Sequence, residues 1–179
     1  MRVIDNRSGM PETLGIIYIS TARALGWDVC GLDFPGHFLI RLEADGERRI
    51  IDPFGGGVTV EAADMRGMFK AVAGNHVELT PDHYRAISNR GVLLRLQNII
   101  KSTALQGKKW GEALQVMERT LLFAPDETEL WLEAGQLHAK LDHVEDAVRV
   151  LEEYVNRTSG EDRRYNASVL LQELKTRLN

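Results

Sequence analysis

The chain has 179 residues, 44% hydrophobic and 27% charged, with 22 basic against 26 acidic side chains and a formal net charge of −4. Such a length buries a core without help from disulfides, and the mixed charge, free of long single-sign runs, gives no electrostatic footprint for nucleic acid or an anionic membrane. Cys30 is the only cysteine, so no intrachain disulfide forms, and residues 1–9 lack the apolar core of a secretory signal; the expected compartment is the cytoplasm.

The first element is a helix from about Pro11 to Leu25, with Pro11 suited to a first turn and Gly26 to the left-handed position past the end. Leu14, Ile17, Tyr18, Thr21, Ala22 and Leu25 recur at three- and four-residue steps, which predicts that this stripe is buried. The stretch Leu14 to Ala24 is too short and too often interrupted to cross a bilayer. Extended segments follow at Asp28 to Leu32, His37 to Glu43 and Arg48 to Ile51, separated by the turns Phe34-Pro35-Gly36 and Ala44-Asp45-Gly46, and they predict an antiparallel meander.

From Thr59 onward the pattern turns helical. Thr59 and Thr80 are expected caps, Val60 to Val72 one helix and Pro81 to Ile87 a short second one, together covering one face of the sheet. Further helices are expected at about Gly91 to Gln106, Lys108 to Phe123, Glu127 to Leu141, Val144 to Arg157 and Asp162 to Leu178, the last burying Tyr165, Val169, Leu170, Leu174 and Leu178. Ala113, Met117 and Thr120 recur as Ala147, Leu151 and Tyr154 at an offset of 34 residues, the tetratricopeptide period, while Trp131, Gly135 and His138 fall where a first repeat helix carries its packing residues. Gln97, Lys101 and Ala104 hold the same places in a degenerate earlier unit.

Four blocks in order carry a resemblance: Gly9-Met10-Pro11, Ala22-Arg23-Ala24-Leu25-Gly26, Phe34-Pro35-Gly36-His37-Phe38-Leu39 and Ile51-Asp52-Pro53-Phe54-Gly55-Gly56. With the repeat-like tail, they resemble the SirB-type family of transglutaminase-like proteins over nearly the whole chain. The resemblance implies an α+β fold: a small papain- or transglutaminase-like core of a buried helix and antiparallel strands over residues 1–88, then an all-α tetratricopeptide-like region with a capping helix over 89–179. His37 and Asp52 match the general base and its orienting carboxylate in active relatives. In those relatives a Gly-x-Cys motif opens the helix, whose amino-terminal dipole stabilises a thiolate. Here Pro11 stands at that position, without thiol or hydroxyl, so the expected state is a pseudo-enzyme with a vestigial dyad. Gly9, Pro35, Gly36, Phe38, Phe54 and Gly55 are the expected lining of its cleft.

Rival readings attach to other residues. Taken singly, His37 bonds a local carbonyl and Asp52 closes a strand. Cys30, on the strand before the His37 turn, is either a small core residue or a substitute nucleophile. Ser8 and Thr13 are either helix caps or hydroxyl nucleophiles served by His37 and Asp52, in a hydrolase or acyl transferase. Gly55-Gly56-Gly57 lacks the Lys-Ser/Thr pair of a phosphate loop, and the five histidines show no metal-ligand spacing, so no cofactor and no metal are expected. The expected partner is a protein or peptide in the helical region, unless those helices only brace the sheet. SirB-type relatives carry a helical segment ahead of the Gly-x-Pro block; with Met1 so near that block here, an uncovered apolar side of the Pro11 helix is expected to pair with a partner or a second copy as a homodimer.

Overall fold

The computed structural model describes residues 2–6 and 8–178. The chain divides into two compact units, residues 1–96 and 97–179. The dividing point falls inside one helix, α4, Asn89–Gln106.

The first unit begins with α1 (Arg2–Asn6) and α2 (Pro11–Ala24), followed by β1 (Asp28–Leu32), β2 (Leu39–Ala44), β3 (Glu47–Asp52), β4 (Val58–Thr59), α3 (Ala62–Ala73), a 3-10 turn at Pro81–Tyr84 and β5 (Ala86–Ile87). The strands form one antiparallel sheet in the order β4-β3-β2-β1-β5. The β2–β3 reversal uses Asp45 at φ 52° and Gly46 at φ 80°, two left-handed residues whose twist matches that of the strands they join. The expected meander is therefore present, with two short strands, β4 and β5, added at its edges. Residues expected as helix from Pro81 onward make only the 3-10 turn before β5 pairs with β1. Thr80 does head that turn, in a reciprocal cap with His83. Thr59 does not cap α3; it lies in β4, and Glu61 and Asp64 form the capping box instead.

Side-chain alternation along the strands divides the core of this unit. One face sends Val29, Ile40, Leu42 and Ile51 against Ile16, Ile19 and Ala22 of α2 and Val92 of α4. The other sends Leu32 and Leu39 against Met65 and Phe69 of α3, with Phe34 beside them. The buried stripe of α2 is Glu12, Gly15, Ile19 and Ala22, whereas Leu25 is 61% exposed and Tyr18 36%. The stripe expected from hydrophobicity thus points largely outward. Its small residues face the sheet because the approach is close: a β-carbon on Gly15 would overlap the Phe38 ring.

The second unit holds the rest of α4, then α5 (Trp110–Phe123), α6 (Thr128–Lys140), α7 (Val144–Arg157) and α8 (Glu161–Leu178). Its core joins Ala113, Leu114 and Met117 of α5 to Leu130, Ala134 and Leu137 of α6 and Val150 of α7. The repeat period is realised in packing. A β-carbon on Gly135 would come within 2.6 Å of Leu151, so that glycine lets α7 seat on α6, and Trp131 donates its indole N–H to the Pro125 carbonyl at 2.9 Å. In α8 the buried positions are Ala167 and Leu174, with Leu170 and Leu171 packed alongside. Tyr165, Val169 and Leu178 are exposed, contrary to the expected stripe.

Candidate functional site

Pro11 occupies the first position of α2, where its missing N–H costs nothing. The residue capping the helix is Met10, at φ −67° and ψ 153°, and no side chain among the described residues bonds the free amides of the first turn. The capping roles expected of Ser8 and Thr13 are therefore not filled.

Beside Pro11 lies a charged pair that the sequence did not announce. Glu12 is 2% exposed, and its Oε1 accepts a hydrogen bond of 3.1 Å from Nε of Arg95, on α4. The same guanidinium donates to the Phe34 carbonyl at 2.9 Å and the His37 carbonyl at 2.7 Å, and it lies 5.7 Å from the centre of the Phe38 ring. Arg95 thereby ties the start of α2 to both ends of the Phe34–His37 turn. A planar guanidinium suits this role because its donors fan out in fixed directions. Glu12 Oε2 is buried without a hydrogen-bond partner among the described residues. The anion held at the amino end of α2, where the dipole favours negative charge, is a carboxylate.

His37 lies in an exposed bend two residues before β2 rather than on the strand. Its ring is 6.4 Å from that of Phe34, and its backbone carbonyl takes the Arg95 bond. Asp52 ends β3, and its Oδ1 accepts from the amides of Phe54 at 2.8 Å and Gly55 at 3.0 Å. The Gly57 amide returns to the Asp52 carbonyl at 2.9 Å, and Gly56 and Gly57 take φ of 81° and 80°. This is an Asx turn, which closes the strand by local bonds. No hydrogen bond joins His37 to Asp52 among the described residues, so the carboxylate organises its own loop and leaves the imidazole unoriented.

Cys30 is level with Arg41 on β2, whereas His37 lies in the bend before that strand begins at Leu39. The cysteine packs with Leu32 and Leu39 on the α3 face of the sheet, away from α2. Of the expected cleft residues, Gly36, Phe54 and Gly55 are exposed and Gly9 and Pro35 half-buried. Phe38 is 1% exposed, so it belongs to the core and lines no cleft. A groove of about 340 Å³ does open along the outer side of α2, lined by Ile17, Tyr18, Thr21, Leu25, Trp27 and Leu42 among others. Trp27 is 43% exposed there.

In the second unit His138 is 2% exposed, and neither ring nitrogen makes a hydrogen bond among the described residues. Burial pushes its pKa below the ordinary 6.5, against the opposing pull of Glu118, whose Oε1 lies 3.4 Å from Nε2, and of Asp146. The His143 ring is 5.7 Å away. No group of three His, Cys, Asp or Glu suited to a metal ion occurs among the described residues, and no helix there is long and apolar enough to cross a membrane.

The family model described as transglutaminase-like superfamily matches residues 1–98, and one described as tetratricopeptide repeat matches 100–172. A UPF0162 protein of Xylella fastidiosa is 31% identical over 161 residues, covering 86% of this chain and 56% of the relative. Another, from Vibrio cholerae, is 29% identical over 127 residues, 70% of this chain and 47% of the relative. Protein SirB1 of Salmonella typhimurium is 26% identical over 142 residues, 79% of this chain and 52% of the relative. The chain spans about half the length of these curated relatives. No solved structure matches it at a significant level.

Proposed function

Since the chain belongs to the transglutaminase-like superfamily and carries tetratricopeptide-like helices behind that domain, we propose that it is a non-catalytic member whose work is to bind a protein or peptide. The observation that carries this reading is Pro11 at the first position of α2, where an acyl-transfer enzyme of this fold would need its nucleophile. The neighbouring Glu12–Arg95 pair supports it, because it fills the same helix end with a fixed, neutralised carboxylate. Asp52 supports it too, since its Oδ1 accepts from the Phe54 and Gly55 amides and no hydrogen bond joins the carboxylate to His37 among the described residues. The setting of this reading is the cytoplasm, where Cys30 stays reduced.

The test is labelling of the native protein with broad thiol- and serine-reactive probes, beside an amine-incorporation assay on a glutamine-rich protein. The expected result is no amine incorporation and a labelling rate unchanged by His37→Ala. A native-state adduct on Cys30, Ser8 or Thr13 that disappears in His37→Ala restores the hydrolase or acyl-transferase reading.

A further inference from the structure

A groove of about 420 Å³ runs through the second unit, framed by α4 and α6 and floored by Leu105, Trp110, Met117 and Leu137. Two lysines stand along it in different electrostatic states. Lys101 is 14% exposed and its amine meets Glu133 Oε2 at 2.5 Å, so its charge is cancelled within the protein. The amine of Lys140 lies 3.4 Å from the centre of the Trp110 ring, and it has no carboxylate partner among the described residues. Stacking on the indole face fixes that amine and strips part of its water while leaving its N–H donors for another acceptor. In a chain of net charge −4 this pairing of uncancelled positive charge with an apolar floor is a local reversal of sign.

We propose that this groove binds a peptide segment that sets an acidic side chain beside an apolar one. The carboxylate takes the Lys140 amine, and the apolar side chain lies on Leu105, Met117 and Leu137. Charge complementarity decides the choice of occupant: a basic segment meets the unpaired Lys140 amine, and a purely apolar one leaves it unpaired beside it. The assignment rests on the reading of the protein as a binding module and gives that module its partner chemistry.

The experiment is selection of a displayed random peptide library on the immobilised full chain, with winning peptides resynthesised and measured by fluorescence anisotropy. The expected winners carry Asp or Glu next to a Leu, Ile, Met or aromatic residue, and they weaken about five- to tenfold when that acid becomes its amide or when Lys140→Met is used. Their affinity also falls as salt is raised. Circular dichroism of the Lys140→Met protein, altered at an exposed position, checks that its fold is kept. Winners that are basic or wholly apolar overturn the proposal. Acidic winners that bind Lys140→Met as tightly as the native chain overturn the groove while leaving the binding-module reading intact. A library that yields no binder overturns both, whereas probe labelling that depends on His37 overturns the non-catalytic reading alone.

Discussion

Replacing Arg95 by methionine keeps most of the apolar stem and removes the guanidinium that faces Glu12. Glu12 is then a carboxylate at 2% exposure with neither oxygen paired, and the Phe34 and His37 carbonyls lose their shared donor. Breaking a buried ion pair from one side costs about 3–5 kcal/mol. The Arg95 side chain is 21% exposed, so water reaches part of the vacated space and the lower end, about 3 kcal/mol, is expected. In the double variant Glu12→Gln with Arg95→Met no charge is stranded, and about 1–2 kcal/mol of that loss returns. The assay is urea unfolding followed by circular dichroism, reading the transition of the first unit at unchanged slope. A single-variant loss below about 1 kcal/mol, or a double variant equal to the sum of its singles, refutes the reasoning.

Gly15→Ala sets a helix-propensity gain of about 1 kcal/mol against overpacking of about 1–3 kcal/mol; since Phe38 is 1% exposed and has nowhere to go, overpacking wins and the melting temperature falls. A rise in melting temperature would show that the ring yields. Asp52→Ala loses the bonds to Phe54 and Gly55 and costs about 1 kcal/mol, while Asp52→Asn keeps an accepting oxygen and stays near neutral in a denaturant titration. Equal losses in both variants contradict a purely local role. His138 has a folded pKa below the ordinary 6.5, so the unfolded chain takes the proton first; its contribution is present above about 6.5 and lost as pH falls toward the lowered folded value. Thermal melts between pH 7.5 and 5 at one fixed ionic strength should show this slope flattened in His138→Leu. For the apolar groove along α2, sedimentation at several concentrations is expected to show a second copy associating, and Leu25→Lys to return a single monomer mass; a native chain monomeric throughout dismisses the homodimer.

Much of the architecture is readable from local chemistry. Pro11 and Gly26 bracket α2 to within a residue, Asp45-Gly46 marks the β2–β3 turn, and Ala147, Leu151 and Tyr154 place α7 at its observed bounds because one apolar stripe there is unbroken. The face of α2 was not readable in this way. Hydropathy ranks Leu25 above Gly15, but a close helix–sheet approach selects for small volume. Two-residue strands such as β5 carry too few side chains for any period to register, and pairing with Gly31 and Leu32 creates them. The Glu12–Arg95 contact was hidden for another reason. A glutamate in a first helical turn reads as an ordinary dipole complement exposed to water, and its partner lies 83 residues downstream. His37 and Asp52 are in the expected order, and the local reading of Asp52 as a strand-closing residue is the one its bonds to Phe54 and Gly55 match.

That separation bears on how the protein is made. As the chain leaves the ribosome, α2 and the sheet emerge well before Arg95, so Glu12 has no counter-charge when its neighbours first collapse. The first unit then waits on α4 to lock the Phe34–His37 turn, and a nascent chain stalled before that point holds a solvent-seeking acid in an otherwise finished interior. Genetic truncations just upstream of residue 95 should accordingly yield a species favoured by chaperones and proteases, though all five strands of the sheet are already present.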